Sequence, residues 1–360
     1  KPYRNHYTQI FAILGILMGI LFLIQKAHTF PLIDYVEYWS AGRINLLGGN
    51  PYSLEEMYTI EKRLGWTYPD VLMMWNPPWI LAIMMPFSSL EYYLSRTVWF
   101  LLQLTMILYS ANLVKRIYKH LPNQLWIAWA VVLSFGPILH TIKIGQITPI
   151  ILLGYTGFLY FLQQNKPFLA GVTASVILLK PHLLYLLLIA ILLWSIKTKN
   201  WKLLAGFTVG VIFPLAIACL PNSHLISQYI YATKNYPPMD WQTATWGALL
   251  RNLFGHEILL LQFVPSILGT IWFLIYWLKN HKTWNWLATL PVIIVGSIAT
   301  SAYGWTHDVS ALTFVIVIVW LSINFQKWTI KSTIIFLSYW GVNMLSILIS
   351  KNQLWFLWLS

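Results

Sequence analysis

Apolar stretches long enough to cross a bilayer recur along most of this 360-residue chain. The sequence is 58% hydrophobic and 9% charged, whereas a soluble domain is about half apolar and about a quarter charged. In hydrocarbon only a helix satisfies its own backbone polar groups without closing into a barrel. We therefore predict an all-α, polytopic integral membrane protein with about 11–12 transmembrane helices. The predicted spans are 10–25, 71–90, 94–114, 125–143, 147–163, 167–196, 202–220, 258–278, 286–302, 308–325 and 331–349.

Lysine and arginine clusters between the apolar runs predict which ends of the spans face the cytoplasm. Under the positive-inside rule they place the N-terminus inside, and residues 26–76, 221–257 and 305–308 on the outer side. The clusters are Lys1/Arg4, Lys115/Arg116/Lys119, Lys197/Lys199/Lys202, Lys279/Lys282 and Lys327/Lys331.

One pair of spans conflicts with this orientation, because two full crossings within 71–114 would place the 115–119 cluster outside. Either the segment that opens with Trp75-Asn76-Pro77-Pro78 is re-entrant and 167–196 forms two short spans, or one long helix is kinked at Lys180-Pro181. The first arrangement also places Gln146 and Lys180 on the outer side.

The net charge of +13 is carried by short clusters between apolar runs. This placement indicates contact with anionic membrane lipid, so we expect no nucleic-acid partner. The chain has a single cysteine, Cys219, which excludes an intrachain disulfide and argues against a thiolate metal site.

The segment 26–76 is too long for a simple connector and has helical signals of its own. Residues 34–47 are predicted to form one amphipathic helix that ends at Gly48-Gly49. A second begins at Ser53, whose spacing to Glu56 is typical of a capping box. We predict two amphipathic helices at the membrane surface within a single domain that covers residues 1–360.

Carboxylates are concentrated in this first external loop. The chain has ten acidic residues, and none lies between Glu91 and Asp240. A proton-coupled or cation-coupled transporter usually keeps an ionisable residue inside a span, and the predicted spans are almost free of acids. The pattern favours chemistry at the outer face. The six acids of the loop are Asp34, Glu37, Glu55, Glu56, Glu61 and Asp70.

Five basic residues on the predicted outer side are not explained by positive-inside sorting. Arginine and lysine bind phosphate oxygens strongly where water is scarce. A bound phosphate would therefore account for them, and contact with outer-leaflet headgroups is the alternative. Lys180 differs from the others, because it lies in an apolar stretch where burial requires an anionic or carbonyl partner. The five are Arg43, Lys143, Lys180, Lys234 and Arg251.

Five short motifs occur in order between the predicted helices. They are Asp34-Tyr35-Val36-Glu37-Tyr38-Trp39-Ser40-Ala41-Gly42-Arg43 with Gly49-Asn50-Pro51-Tyr52, then Asn76-Pro77-Pro78, Gly145-Gln146, Lys180-Pro181-His182 and Tyr303-Gly304-Trp305-Thr306-His307-Asp308. Together they resemble glycosyltransferase family 87, a GT-C class of polyprenyl-phosphate-sugar-dependent mannosyl- and arabinofuranosyltransferases. The resemblance implies an inverting transferase without a cofactor. Its partners would be a polyprenyl-phosphate-sugar donor and a lipid or glycan acceptor at the outer face of the plasma membrane.

In that class the acidic residue just after the first transmembrane helix is the general base, and by position this residue is Asp34. Such a transfer needs one carboxylate to accept the acceptor's proton and cations to stabilise the departing phosphate. The alternative is that Asp34 caps the helix that starts at Tyr35. His307 is the second predicted catalytic residue. Its turn resembles the family's Ser-Pro-x-x-Trp-x-His-His motif, from which the sequence departs at Ala302 and Asp308.

The remaining motif residues are assigned to substrate binding by the same resemblance. Glu37 is a candidate for binding sugar hydroxyls, with a solvated helix face as the alternative. Arg43 and Lys180 are candidates for the donor phosphate, and Trp305 for stacking on a sugar. The full set is Glu37, Tyr38, Arg43, Asn76, Lys143, Gln146, Lys180, His182, Trp305 and Asp308.

Other functions account less well for the pattern. A transporter or lipid flippase would place acids or broken helices at matching positions in two halves, and a scaffold would leave the polar residues around Asp34 unexplained. A polymerase or ligase that uses lipid diphosphate would carry more cations in an outer loop than 221–257 does. A cation held by Asp34, Asp240, His307 and Asp308 is a further alternative. We expect no metal, because the chain has no closely spaced Asp-x-Asp pair.

Overall fold

The computed structural model describes residues 29, 31–121, 125–237, 241, 243–323 and 329–348. Every regular element in these ranges is a helix, which confirms the all-α prediction. The α-helices are α1 (Asp34–Leu46), α2 (Leu54–Arg63), α3 (Leu81–Ser88), α4 (Tyr92–Ile117), α5 (Leu125–Ser134), α6 (Gly136–Ile144), α7 (Thr148–Gln163), α8 (Pro167–Ser175), α9 (Tyr185–Thr198), α10 (Trp201–Cys219), α11 (Leu225–Asn235), α12 (Trp246–Phe254), α13 (Val264–Asn280), α14 (Trp286–Ala299), α15 (Thr313–Leu321) and α16 (Ile330–Leu348). Short 3₁₀ helices lie at Pro78–Ile80, Val176–Leu179, Leu259–Phe263, His281–Thr283 and Asp308–Leu312.

Three helical segments are long and apolar enough to cross a bilayer: α4, α10 and the continuous stretch Leu259–Thr283 that contains α13. α5 and α6 form a fourth candidate, bent by 65° where they meet. The described part of the chain therefore holds three to four full-length candidates, fewer than the spans predicted from hydropathy. Several shorter apolar helices replace the predicted long ones. The predicted span 10–25 lies outside the described residues.

The predicted span 167–196 is broken in its middle. A 3₁₀ turn at Val176–Leu179 ends the first half, and Lys180 leaves helical geometry with φ −140° and ψ 73°. Pro181 explains this break, because the ring of a proline disfavours the α conformation of the residue before it. α9 then starts at Tyr185. The segment forms two short helices rather than one kinked helix, and the break holds Lys180 at a helix end.

The most extensive helix contact joins α8 and α10. Glycines allow it: Gly171 faces the backbone of Leu203, and Gly206 faces the backbone of Phe168. A Cβ at either glycine would collide with main-chain atoms, which cannot rotate away. Small residues let membrane helices approach closely, and van der Waals contact then stabilises the pair.

The first helix of the external loop is buried. Nine of its residues are buried, among them Tyr35, Val36 and Trp39, and α1 packs against α3 within the main hydrophobic core. The prediction of an amphipathic surface helix at 34–47 is therefore wrong for this element. Apolar and aromatic residues occupy most faces of α1, and neighbouring helices cover those faces.

The second helix of the loop, α2, carries the predicted cap. The Ser53 hydroxyl accepts a hydrogen bond from the Glu56 N–H at 3.3 Å. The Glu56 carboxylate does not return to Ser53, as a full capping box would require. It accepts the N–H of Asn50 instead, at 3.1 Å. Met57 is fully buried on the inner side of α2, while Glu55 and Glu56 are exposed.

Candidate active site

Asp34 is the first residue of α1, and its carboxylate contacts a distant side chain. The Nε2 atom of Gln146 donates to Asp34 Oδ2 at 2.5 Å, across 112 residues of sequence. Ile33 is the residue that precedes the helix, and no side chain caps it. The interpretation of Asp34 as a helix cap is therefore wrong. Its carboxylate is available for other chemistry at the positive end of the helix dipole.

Two further hydrogen bonds orient the Gln146 amide. Its Oε1 atom accepts from the Tyr38 hydroxyl at 3.0 Å and from the Ile147 N–H at 3.1 Å. Because the carbonyl end is held by two donors, the NH₂ end faces the Asp34 carboxylate. The structure thus brings together three of the predicted site residues.

Gly145 makes this placement of Gln146 possible. It ends α6 in the left-handed conformation, with φ 80° and ψ 30°. A Cβ here would lie 2.6 Å from the Cβ of Tyr35, so α1 leaves no space for a side chain. The Gly145 carbonyl accepts the indole N–H of Trp99 at 2.8 Å. Glycine is required at this turn both for its φ and for the close approach of α1.

Arg96, which the sequence analysis did not assign, supports the same turn. It is fully buried, and its Nη2 atom donates to the carbonyl oxygens of Ile142 and Lys143, both at 2.8 Å. Its guanidinium also lies over the Tyr35 ring, 5.2 Å from the centroid. A cation at the C-terminus of α6 satisfies the last carbonyls and complements the helix dipole. An arginine inside a predicted apolar span was the signal that could have identified it.

Lys180 and Asp308 form a buried ion pair. The Lys180 Nζ atom lies 2.8 Å from Asp308 Oδ1, and the side chains are 9% and 3% exposed. Asp308 Oδ2 accepts the backbone N–H of Trp305 at 3.1 Å, and Thr148 Oγ1 approaches Oδ1 at 3.4 Å. The anionic partner expected for Lys180 is therefore another predicted site residue. Both oxygens of Asp308 have donors.

His307 lies directly against this ion pair. Its Nε2 atom is 3.6 Å from Asp308 Oδ1, too far for a hydrogen bond, and has no hydrogen-bond partner among the described residues. The His307 carbonyl accepts from the Thr141 hydroxyl at 2.9 Å, and its ring stacks on that of His140 with centroids 6.0 Å apart. The imidazole is thus held in place by its neighbours, with one ring nitrogen beside the carboxylate.

Asn76 and His182 flank the break that carries Lys180. The Asn76 side chain donates to the Leu179 carbonyl at 2.9 Å, and the Tyr52 hydroxyl donates to the Asn76 carbonyl at 3.1 Å. The His182 carbonyl accepts from the Ser301 hydroxyl at 3.1 Å. In the structure Asn76 holds the main chain next to Lys180.

The electrostatic environment of Asp34 suits a base that works near neutral pH. Burial raises the pKa of the Asp34 carboxyl to about 6, and the charge of Asp308 adds to this. The hydrogen bond from Gln146 and the charge of Lys180 oppose the increase. Lys180 and Asp308 are thus close enough for their charges to contribute to the pKa of Asp34.

Glu37 lies one helical turn after Asp34, on the same face of α1. Burial raises the pKa of the Glu37 carboxyl well above its ordinary value, and the charges of Asp34 and Glu61 add to this. The charge of Lys180 and the nearby backbone of Trp75 act in the opposite direction on this pKa. Glu37 therefore belongs to the same electrostatic unit as Asp34.

Two predicted phosphate ligands lie away from this cluster. Arg43 is nine residues after Asp34, about 13 Å along the helix axis at 1.5 Å per residue, and its guanidinium contacts the Ser88 carbonyl at 3.5 Å. The side chain of Lys143 is exposed. Helix geometry decides the case of Arg43, since a residue at the far end of α1 lies far from its start; Lys143, on α6, is directed to the surface.

No group of three metal-type side chains that could hold an ion occurs among the described residues. Asp240, which the alternative metal arrangement requires, lies outside them. Lys180 lies next to the Asp308 carboxylate in the described part of the site.

Comparison with known protein families gives a match. The model of glycosyltransferase family 87 matches residues 75–326, more than half of the chain. No curated protein and no solved structure matches. The matched range includes Gln146, Lys180 and Asp308, whereas Asp34 and Glu37 precede it.

Proposed function

Because this chain belongs to glycosyltransferase family 87 and is a membrane glycosyltransferase, we propose that it moves a mannose- or arabinofuranose-type sugar from a polyprenyl phosphate to an acceptor hydroxyl. The acceptor is a lipid or a lipid-linked glycan, and the reaction takes place at the outer face of the plasma membrane with inversion at the anomeric carbon. Family membership argues against the transporter alternative, since it makes the chain an enzyme.

Asp34 is the general base of this proposal. The acceptor oxygen attacks the anomeric carbon and transfers its proton to the Asp34 carboxylate, while the bond from that carbon to the phosphate oxygen breaks. The hydrogen bond from Gln146 keeps the carboxylate oriented and favours its charged form. A carboxyl with a pKa of about 6 is ionised at neutral pH and is still basic enough to take a proton.

Lys180 stabilises the departing phosphate. The electron pair of the broken bond leaves on the phosphate, and an ammonium group near it lowers the free energy of the charge that develops. An ammonium carries three N–H donors, and Asp308 accepts one of them at 2.8 Å. Asp308 thereby holds the Lys180 ammonium in position before the donor binds.

The observation that supports this proposal best is the convergence of Asp34, Gln146, Lys180 and Asp308 from four separate parts of the chain. A base and a cation within one electrostatic unit are the two groups that inverting transfer from a phosphate requires. Hydrolysis of an ordinary glycosidic bond would need a second carboxylic acid for the poorer leaving group.

Transfer of radiolabelled sugar tests the proposal. Purified protein in lipid nanodiscs is given synthetic polyprenyl-phosphate mannose or polyprenyl-phosphate arabinose together with membrane lipids as acceptors. We expect transfer by the wild type and a loss of about 10³-fold or more in Asp34→Asn, which keeps the shape of the side chain but cannot accept the proton.

Glu55→Gln is the matched control, because Glu55 is an exposed acid of the same loop. It should keep full activity, and equal thermal unfolding of the variants should show that folding is unchanged. Full activity of Asp34→Asn would remove Asp34 from the chemistry. Absence of transfer from both donors by a folded wild type would reject the proposed donor class.

A further inference from the structure

A cavity of about 480 Å³ lies at the turn that joins α9 to α10. α9 begins shortly after Lys180 and has 14 residues, so its last turn lies about 20 Å from its first at 1.5 Å per residue. The cavity is therefore at the opposite end of α9 from the candidate active site, and we call it the α9–α10 cavity. Its lining residues are Trp194, Thr198, Lys199, Asn200, Trp201 and Lys202.

The lysines that line the cavity have no acidic partner in the described part of the chain. Neither Lys199 nor Lys202 forms an ion pair with a described residue, and both side chains are exposed. The segments 185–219 and 264–299, whose helices meet at this end of the bundle, contain five lysines and no aspartate or glutamate. Two ammonium groups without a counter-charge beside a cavity favour an anionic ligand.

Local contacts fix the turn that carries these two lysines. Lys199 follows the last residue of α9 in the left-handed conformation, with φ 53° and ψ 36°. The Asn200 side chain then caps α10 by accepting the Leu203 N–H at 3.3 Å. Because both sides of the turn are held by helix ends, the backbone positions of Lys199 and Lys202 are set before a ligand binds.

Lys197, in the last turn of α9, has a different role. Its Nζ atom donates to the His281 carbonyl and lies 5.9 Å from the centroid of the Trp277 ring. This contact ties the end of α9 to the end of α13. The three lysines therefore divide into one that joins two helices and two that line the cavity.

Tryptophan side chains indicate the depth of the cavity in the membrane. Trp201, at the start of the candidate span α10, is 60% exposed. Trp194 packs edge to face on Trp286, with ring centroids 5.7 Å apart. Tryptophan is enriched at the level of the lipid headgroups, where its ring meets hydrocarbon and its N–H meets water. The tryptophans therefore place the cavity at the level of the phospholipid phosphates.

Further cations at the same end of the bundle add to the attraction for anionic lipid. The hydroxyl of Tyr118, at the end of α4, donates to the Leu287 carbonyl at the start of α14, at 2.7 Å. This contact brings a second predicted cytoplasmic cluster, 115–119, to the end of the bundle that carries the cavity. Basic pockets between transmembrane helices on the cytoplasmic side bind the headgroups of anionic lipids.

We propose that the α9–α10 cavity binds the phosphate headgroup of an anionic glycerophospholipid, with Lys199 and Lys202 as the phosphate ligands and Trp201 against the glycerol part of the lipid. Its volume falls within the range of about 300–1,000 Å³ that small-molecule sites occupy. The inference is independent of the proposed transfer reaction, because it concerns the opposite end of α9. The alternative is a surface that attracts lipid by net charge alone, to which every lysine at this end contributes equally.

Native mass spectrometry of the full chain, released from detergent, tests the site. The probes are dioleoylphosphatidylglycerol, the neutral dioleoylphosphatidylcholine and soluble glycerol phosphate. We expect the wild type to bind the first phosphatidylglycerol at least about tenfold more tightly than phosphatidylcholine, from roughly fivefold per lysine near an anionic headgroup. Lys199→Gln/Lys202→Gln should abolish this preference. Lys199→Arg/Lys202→Arg should keep it, because arginine also binds phosphate oxygens.

Lys279→Gln/Lys282→Gln is the matched control. It removes the same charge from two exposed lysines at the same end of the bundle that do not line the cavity. The lipid preference should change by less than about twofold in this variant, since the effect of a charge that is exposed and distant is screened. An equal loss in the two Gln variants would show attraction by net charge and overturn the proposal. Thermal unfolding without lipid checks that the variants fold equally.

Two further outcomes would also overturn it. Equal affinity of the wild type for phosphatidylglycerol and phosphatidylcholine would show that the cavity does not recognise the anionic headgroup. Displacement of the lipid by glycerol phosphate at equal concentration would assign the cavity to a soluble phosphate compound. The binding readout needs no sugar transfer, so failure of the proposed function would leave this test unaffected.

Discussion

The Nζ atom of Lys180 lies 2.8 Å from Oδ1 of Asp308, so two charged side chains 128 residues apart form one buried pair. Asp308 stands where the related motif often has a second histidine. With aspartate at this position, a negative charge faces the lysine at all pH values near neutrality. The carboxylate thus gives the ammonium a partner in a setting where an isolated charge would be costly.

Replacing only the lysine of this ion pair should destabilise the protein more than replacing both of its residues. Lys180→Met leaves the Asp308 charge buried and unpaired, so we expect the free energy of unfolding to fall by about 3–5 kcal/mol. The double variant Lys180→Met/Asp308→Asn should recover much of that stability but no transfer activity. Thermal unfolding in detergent and the transfer assay check the two results. A double variant as unstable as Lys180→Met would contradict the pairing argument.

The rate of transfer should fall in acid as Asp34 takes up a proton. Burial raises the pKa of this carboxyl to about 6, and only the ionised form accepts the acceptor's proton. The kcat/KM should therefore be constant above that pH and decrease about tenfold per pH unit below it. A pH–rate profile of the wild type measures this, with unfolding followed at each pH as the control. A rate independent of pH between 4 and 8 would argue against Asp34 as the base.

Loss of the Gln146 donor should move this acid limb to higher pH. Gln146→Met removes the N–H that stabilises the ionised Asp34, so the pKa of the carboxyl should rise and activity at pH 6 should fall by roughly tenfold. Tyr38→Phe is the control, because it deletes the bond to the other end of the amide and leaves the bond to Asp34. Its smaller effect on the pH profile distinguishes charge stabilisation from simple loss of packing.

Gly145→Ala should damage the site through the backbone. An alanine in the left-handed conformation costs about 1–2 kcal/mol, and its Cβ would lie 2.6 Å from that of Tyr35. We expect lower thermal stability together with lower transfer activity, since the next residue orients Asp34. Gly341→Ala is the matched control, because nothing lies within 4 Å of a Cβ at that position. Equal stability of the two variants would show that the turn is not constrained.

Glu61 should make the protein less stable as pH rises. This buried carboxyl accepts one N–H, from Leu72 at 3.1 Å, and burial raises its pKa to about 7. The folded state then holds this proton more tightly than the unfolded state. The stability from the protonated group is complete below about pH 4.3, the ordinary value for glutamate, and is lost as pH approaches 7. Glu61→Gln should flatten this dependence and raise the melting temperature at pH 7.5, whereas Glu55→Gln should change neither.

The sequence by itself determined the class of the protein and the outline of its chemistry. Hydropathy is a sum over neighbouring residues, so an apolar helical chain can be recognised without knowing how its helices pack. The same holds for the need of a buried Lys180 to have a partner. Local sterics at Lys180-Pro181 predicted a disturbed helix, but left open whether it would be kinked or broken in two.

Only the tertiary structure decided which residues meet. The contact of Gln146 with Asp34 and the support of the Gly145 turn by Arg96 join helices that are far apart in sequence. It also showed α1 to be buried and placed Arg43 away from the site. The physical reason is that long-range partners depend on helix packing, which small residues and close backbone contacts set, whereas hydropathy and spacing report only on one segment at a time.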